Sequence, residues 1–323
     1  MKRKRKNRSK TRLTLYERIK RKILTTLKRL IFLFLIGCIG IILLLIFHKD
    51  DTIKLNDTEI KLYIDSADKI SKGKLQVNWK YLAAIDYVRY KKDISKSTDV
   101  SIQELGQTFL ENTSKENKYK LLNLEDGLKK LSFTDSEKEK AYKYVEQLDS
   151  IGLVPNNLRK DSSSRKFIDE LSPKAIELYN NYGILPSITI SQAILESNWG
   201  KSDLSVQANN LFGIKADNSW KGKKVTMTTS EYYNSVIKDN FRSYSTKSES
   251  LDDYGKFILN NKRYKENGVF NSSQYIDQAQ SMENAGYSTK QDETGNNIYA
   301  DLLIDIIKEN NLQLIDSKVQ SQS

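Results

Sequence analysis

Residues 30–47 are eighteen consecutive positions without a charge, and the 29 residues before them carry fourteen Lys or Arg and one Glu. As a helix rising about 1.5 Å per residue, such a stretch spans roughly 27 Å, close to the hydrocarbon thickness of a bilayer, and excess positive charge holds its own flank in the cytoplasm. The expectation is a single-pass protein of the cell membrane. A basic segment (1–29) lies in the cytoplasm, a transmembrane helix (30–47) crosses the lipid bilayer, and the remainder lies outside the cell. The apolar run meets His48, Lys49, Asp50 and Asp51 with no small-residue cleavage site, which favours an uncleaved anchor over a signal peptide. LIGC (35–38) has the form of a lipobox with Cys38 as the acylated residue. Against that reading, nine more apolar residues follow Cys38 and the basic leader is long.

The net charge of +12 invites a nucleic-acid reading that does not survive subtraction of this segment. Beyond residue 29 the chain holds 39 basic and 40 acidic residues, so no cationic surface is left for phosphate recognition. The basic block is a topology signal with an affinity for anionic headgroups. Cys38 and His48 are the sole cysteine and histidine. The exterior portion therefore has no Cys/His or Ser-His-Asp nucleophile system, no His-ligated zinc and no disulfide framework. Its chemistry must run on carboxylates, Tyr, Ser, Lys or Asn, with no cofactor and no metal.

A polar stretch around Pro155 to Arg165, containing Ser162, Ser163 and Ser164, divides the exterior portion. Residues 54–154 read as a helical accessory domain, with apolar periodicity over 79–90, 102–110 and 135–148. Its carboxylates Asp86, Glu104 and Glu111 are isolated and read as solvated. This region is a spacer or a docking surface for another membrane protein. Residues 155–164 read as a linker, 165–312 as the functional domain and 313–323 as a polar tail.

The functional domain opens with a helix capped by Ser172 with Pro173 at its first position, ending at Gly183. A second helix starts near Pro186, runs through Ile188, Ile190, Ala193, Ile194 and Leu195, and frays around 198–200. Glu196 sits in its last turn. The negative end of a helix and apolar neighbours both disfavour an ionised carboxylate, and a carboxylic acid still protonated near neutral pH is what protonation of a glycosidic oxygen requires. The alternative is a surface Glu partnered by Lys201. Periodicity then changes: 223–232 and 235–244 alternate as a hairpin turning near Asn234, with Glu231 close to its tip. Helical patterns return over 248–260, 272–285 and 298–310. The fold class is mainly α with a small β-hairpin lobe.

SQAILESNWGKS (191–202) resembles the catalytic-glutamate motif of the glucosaminidase family of peptidoglycan hydrolases, glycoside hydrolase family 73. NNLFGIK (209–215), TTSEYYNS (228–235), NFRSYSTKSESLDDY (240–254), NNKRY (260–264) and NAGYSTK (284–290) resemble further family segments in the same order. The resemblance implies a lysozyme-like α+β fold over residues 165–312. It implies Glu196 as general acid, Glu231 as the hairpin carboxylate and Tyr287 as a cleft tyrosine that supports catalysis. The implied reaction is that of an endo-β-N-acetylglucosaminidase, cleaving the GlcNAc-β-1,4-MurNAc bond of peptidoglycan glycan strands. Glu231 would activate water, act as nucleophile, or stabilise charge while the substrate's N-acetyl oxygen attacks. A carboxyl separation of about 6.5–9.5 Å would suit the first and about 5–5.5 Å the second.

Sugars offer apolar faces to aromatic rings. Trp199, Phe212, Tyr232 and Tyr233 flank the carboxylates and are the candidate substrate contacts, with burial in the core as the alternative for each. Two other functions fit the same residues: a non-catalytic peptidoglycan-binding scaffold, and a lytic transglycosylase that cleaves the MurNAc–GlcNAc bond. Retention of both Glu196 and Glu231 favours an enzyme over a scaffold.

Overall fold

The computed structural model describes residues 14–47, 51–113, 118–231 and 235–322, without the side chains of 40–47, 229–231 and 235–237. The chain divides into two units, 1–52 and 53–323. In the first, helix α1 (Leu15–Phe47) continues the basic segment straight into the apolar run. Among the described residues no helix is long and apolar enough to cross a membrane. The apolar run continues into positions 40–47, where side chains are not described.

The second unit opens with α2 (Asp57–Ser71), α3 (Trp79–Arg89) and α4 (Asp99–Gln107), followed by the short antiparallel pair β1 (Leu110–Asn112) and β2 (Tyr119–Leu121). Helices α5 (Leu124–Lys130) and α6 (Asp135–Gln147) complete this part. The helix starts are chemically marked. Asn56 with Glu59 and Thr134 with Glu137 form capping boxes in which each side chain satisfies the other's backbone N–H. Ile60, Ile64, Trp79, Leu82, Ile85, Ile102, Leu128 and Tyr144 fill one apolar core. The strand pair corrects the expectation of a helix reaching Leu110: α4 stops at Gln107, and Leu110 pairs with Leu121.

Residues expected to form a linker are structured. They make α7 (Pro155–Leu158) and the start of α8 (Ser163–Tyr182), with Leu158 only 3% exposed. Ser162, not Ser172, caps α8, and Pro173 lies inside it. Pro173 removes one N–H from the ladder, and the preceding Ser172 Oγ bonds back to Ile168 O at 2.6 Å. Gly183 ends the helix at φ 75°, a left-handed conformation that glycine adopts without a Cβ penalty.

Next come α9 (Pro186–Ser197), α10 (Asp203–Ala208) and the hairpin of β3 (Lys224–Glu231) with β4 (Ser235–Arg242), whose register pairs Glu231 with Ser235. The expected turn at Asn234 lies outside the described residues. Helices α11 (Lys247–Asn260), α12 (Lys262–Glu266), α13 (Tyr275–Asn284), α14 (Tyr299–Glu309) and α15 (Gln313–Gln320) close the chain. Their apolar faces gather around α9, where Ile188, Ile190, Ala193 and Ile194 meet Leu178, Leu251, Tyr254, Met282 and Leu303 in a second core.

The two cores share one compact unit because buried polar contacts tie their elements together. Asp68 of α2 accepts from Tyr275 Oη at 2.6 Å and lies 3.2 Å from Lys308 Nζ. Trp79 Nε1 donates to Asn311 Oδ1 at 3.3 Å, and Gln76 N–H to Gln320 Oε1 at 2.7 Å. The expected polar tail is thus corrected as well. Residues 313–320 are helical, and Gln313, Asp316, Ser317 and Gln320 are buried polar groups rather than solvated ones.

Candidate active site

Helix α9 is the element that carries Glu196, and both its ends are fixed. Pro186 takes the first helical position, where its missing N–H has no intrahelical partner to lose. Leu185 offers no side-chain cap. The cap comes instead from α15: Asp316 Oδ1 accepts from Ser187 N–H at 2.9 Å and Asp316 Oδ2 from Ser187 Oγ at 2.5 Å. A carboxylate here also meets the positive end of the helix dipole.

At the other end the chain does not fray. Asn198, Trp199 and Gly200 all take positive φ, at 49°, 60° and 71°. This conformation is uncommon for a residue as bulky as Trp and is held by its surroundings. Trp199 N–H donates to Ile194 O at 3.1 Å, Gly200 N–H to Ser197 Oγ at 2.7 Å, and Ser202 N–H to Ser197 O at 2.9 Å. A Cβ at Gly200 would meet the Phe167 ring at 2.8 Å, and that ring sits edge-on to Trp199 with centroids 6.0 Å apart. Trp199 is half-buried against the core.

Glu196 is open to solvent on one side and hemmed in by aromatic residues on the other. Burial among them raises its pKa above the ordinary glutamate value, and this outweighs the opposing effects of a Tyr299 hydrogen bond and the charge of Lys290. Tyr299 Oη donates to Glu196 Oε1 at 2.9 Å. Gln192 Nε2, one turn back on α9, donates to Tyr299 Oη at 2.9 Å, and Gln192 Oε1 accepts from Tyr254 Oη. Gln192, Tyr254 and Tyr299 are all at most 1% exposed. Burial first, and then neighbouring phenols and Glu196, push both tyrosines well above their ordinary pKa, so they stay protonated as donors.

Tyr287 stacks on Tyr299 with centroids 5.4 Å apart and planes 17° from parallel. It is half-buried, and burial and the Glu196 charge raise its pKa. Glu196 and Tyr287 are therefore brought together. Phe212 is not a surface ring: it is 5% exposed and stacked on Tyr254 at 4.1 Å, which makes it a support for the buried tyrosine and corrects its expected place among the sugar contacts. Glu231 ends β3, with its side chain outside the described residues, and Tyr232 and Tyr233 fall outside them altogether.

The base of the hairpin is clamped to the helices. Arg242 Nη1 of β4 donates to both oxygens of Asp253, at 2.8 and 3.1 Å, and Tyr244 Oη donates to the same carboxylate at 2.6 Å. Asn210, 1% exposed, donates from Nδ2 to Ile214 O and Arg242 O while its Oδ1 accepts from Ile214 N–H. These contacts of Asn210, Arg242 and Asp253 set where the hairpin leaves the core. No group of three or more His, Cys, Asp or Glu that could hold a metal occurs among the described residues.

Sequence reasoning missed Gln192, Tyr254, Tyr299 and Asp316. Gln192 did carry a signal, as the residue with a long polar side chain one helical turn before Glu196, on the same face. The two tyrosines and Asp316 lie 62, 107 and 129 positions from their partners on α9, beyond any local pattern.

The family described as Glucosaminidase, mannosyl-glycoprotein endo-beta-N-acetylglucosaminidase, matches residues 172–312. Exo-glucosaminidase LytG of Bacillus subtilis is 42% identical over 158 residues, which cover 46% of this chain and 52% of that protein. Peptidoglycan hydrolase FlgJ of Vibrio cholerae is 40% identical over 136 residues, covering 39% and 40%. The chain spans about half the length of the curated relatives it matches. Among solved structures, the catalytic domain of the autolysin Auto from Listeria monocytogenes aligns with a TM-score of 0.43 at 34% identity, over 49% of this chain and 89% of that one. Glu196, Gln192, Tyr254, Tyr287 and Tyr299 all lie inside the matched segment, and residues 172–312 are a glucosaminidase-family domain.

Proposed function

We propose that this protein is a membrane-anchored peptidoglycan hydrolase that cleaves the GlcNAc-β-1,4-MurNAc bond with Glu196 as its general acid. The observation that carries this reading is Glu196 itself: a carboxyl at the end of a buried helix, with burial raising its pKa and one side open to solvent. A protonated Glu196 gives its proton to the glycosidic oxygen as the bond to C1 of GlcNAc breaks. Positive charge then develops on the GlcNAc ring, and water adds at C1 to leave a reducing GlcNAc end. Glu231 serves as general base or as an electrostatic partner to that charge, with the substrate's own N-acetyl oxygen as the rival nucleophile. Trp199, Tyr232, Tyr233 and Tyr287 are the aromatic groups that would meet the sugars in this reading.

The basic segment and the apolar run within α1 support anchoring in the cell membrane, with residues 1–29 cytoplasmic and the unit from Ile53 onward outside. A tethered enzyme reaches the glycan nearest the membrane first.

The test is digestion of purified peptidoglycan with the full-length chain and with Glu196→Gln, followed by borohydride reduction and mass analysis of the new ends. Reduced GlcNAc ends that vanish in the variant are the expected result. Anhydro-MurNAc ends would instead make the protein a transglycosylase, and binding without cleavage would make it a scaffold. Product length from defined oligosaccharides separates internal from terminal cleavage.

A further inference from the structure

We propose that the buried sequence of side chains Tyr254, Gln192 and Tyr299 fixes which oxygen of Glu196 carries the acid proton, making Tyr299 and Gln192 positioning residues for the reaction proposed above. The inference rests on that reading of Glu196 as an acid, and on the polarity of one amide.

A glutamine side chain has an acceptor end and a donor end, and in this chain each end faces a phenol. Tyr254 Oη faces Gln192 Oε1 and must donate to it. Tyr299 Oη faces Gln192 Nε2 at 2.9 Å and must accept from it. A phenol has a single proton. Because Tyr299 accepts from Gln192, its own proton is free for Glu196 Oε1, 2.9 Å away. That oxygen is thereby an acceptor, and the transferable proton resides on Oε2.

The direction is held because the three residues are buried and packed. Phe212 stacks on Tyr254, Tyr287 stacks on Tyr299, and Gln192 lies on the same helix as Glu196, one turn earlier. A reversed amide would turn the logic around. Tyr299 would then donate to Gln192 and withdraw its proton from Glu196. The relay therefore does two things to the acid. It assigns the proton to one oxygen, and it stabilises the carboxylate left behind after that proton is given away.

The experiment follows the titration of Glu196 directly, by 13C NMR of the glutamate side-chain carboxyl carbons in the full-length chain in detergent micelles, with Glu196→Gln identifying the resonance. It runs beside the pH dependence of peptidoglycan cleavage. Tyr299→Phe removes one oxygen, and Gln192→Glu replaces the donor end with a second acceptor that takes the Tyr299 proton for itself. Each is expected to raise the Glu196 pKa by about one unit or more and to move the alkaline limb of activity the same way. In Tyr299→Phe, kcat is expected to fall about tenfold with KM little changed, which a general loosening of the fold would not produce. Tyr254→Phe, which only frees the amide to turn, is expected to shift the titration in the same direction by less. A Glu196 titration unmoved in Tyr254→Phe and in Gln192→Glu would overturn the relay, whatever Tyr299→Phe does through its direct bond, even if the wild-type chain cleaves peptidoglycan. A titration that shifts in a chain without cleavage would uphold the relay and overturn the hydrolase reading.

Discussion

Asp86 in the amino-terminal core and Glu196 in the carboxyl-terminal core are both carboxylates whose pKa burial raises, yet their surroundings differ in kind. Asp86 is fully enclosed. One oxygen accepts from Tyr63 Oη at 3.1 Å and Ser97 Oγ at 3.0 Å, and Arg89 approaches the other at 3.4 Å. Glu196 receives Tyr299 on one oxygen and faces solvent on its other side. A buried carboxylate whose oxygens are all supplied with donors can only hold a structure together. One supplied on a single side keeps a position at which a proton can be given to something else. A raised pKa therefore does not by itself mark a site; the unfilled side does.

The comparison breaks most directly at Glu196. Replacing it with Gln keeps the shape and the Tyr299 contact but removes the acid, and cleavage of peptidoglycan is expected to fall by about 10²–10⁴-fold with the melting temperature almost unchanged. Asp86→Ala should do the reverse. It removes the acceptor shared by the Tyr63 and Ser97 hydroxyls, which keep only their bond to each other at 2.8 Å, and opens a cavity in the amino-terminal core, with an expected loss of about 2–4 kcal/mol in urea unfolding and little effect on turnover per folded molecule.

A third carboxylate, Asp316, sharpens the contrast because it is enclosed like Asp86 but supports the helix of Glu196. Burial raises it to about 7 against its hydrogen bonds from Ser187. The unfolded chain releases this proton near pH 4, so between about pH 4 and about 7 the folded state binds more protons than the unfolded one. Stability from this group is full below the unfolded value and declines as pH rises through the window, by up to about 1.4 kcal/mol per pH unit. Asp316→Asn mimics the protonated form and should flatten that slope, as read from melting temperatures across the range. The smallest expected effect is at the seam between the cores. Trp79→Phe removes the bond to Asn311 and should cost about 1 kcal/mol without changing the pH profile of cleavage.

Much of the helical order around the site was legible because its causes are local. Pro186 at a first turn, the apolar spacing through Ile194 and the Asn-Trp-Gly stop after Ser197 place Glu196 in a last turn without reference to the rest of the chain. The alternation of residues around 224–231 and 235–242 likewise gives the hairpin. Errors arose where a local signal had a stronger competitor. Pro173 looked like a helix start, but the apolar face running from Phe167 and Ile168 through Leu171 to Ala175 and Leu178 carries the helix across it. Asp86 looked solvated because isolated charges usually are, and nothing near it in sequence announces Tyr63 or Ser97 as partners. The segment after residue 312 looked like a tail for its polarity, although Gln313, Asp316 and Gln320 point inward to buried partners or neighbours.

The sequence by itself determined the chemical alphabet and the placement of the acid. Outside the amino-terminal segment there is no Cys or His, and the motif around Glu196 stands on a helix whose start and stop are written within a dozen residues. Only the tertiary structure decided what surrounds that acid. Tyr299 reaches Glu196 across 103 positions, Tyr254 reaches Gln192 across 62, and Asp316 reaches Ser187 across 129. Helical periodicity relates residues three or four apart and says nothing about such distances. Those partners exist because α9 is buried on nearly every face, so Ser187, Gln192 and Glu196 meet their hydrogen bonds from other elements, while the hydroxyls of Ser191 and Ser197 bond back to α9 itself.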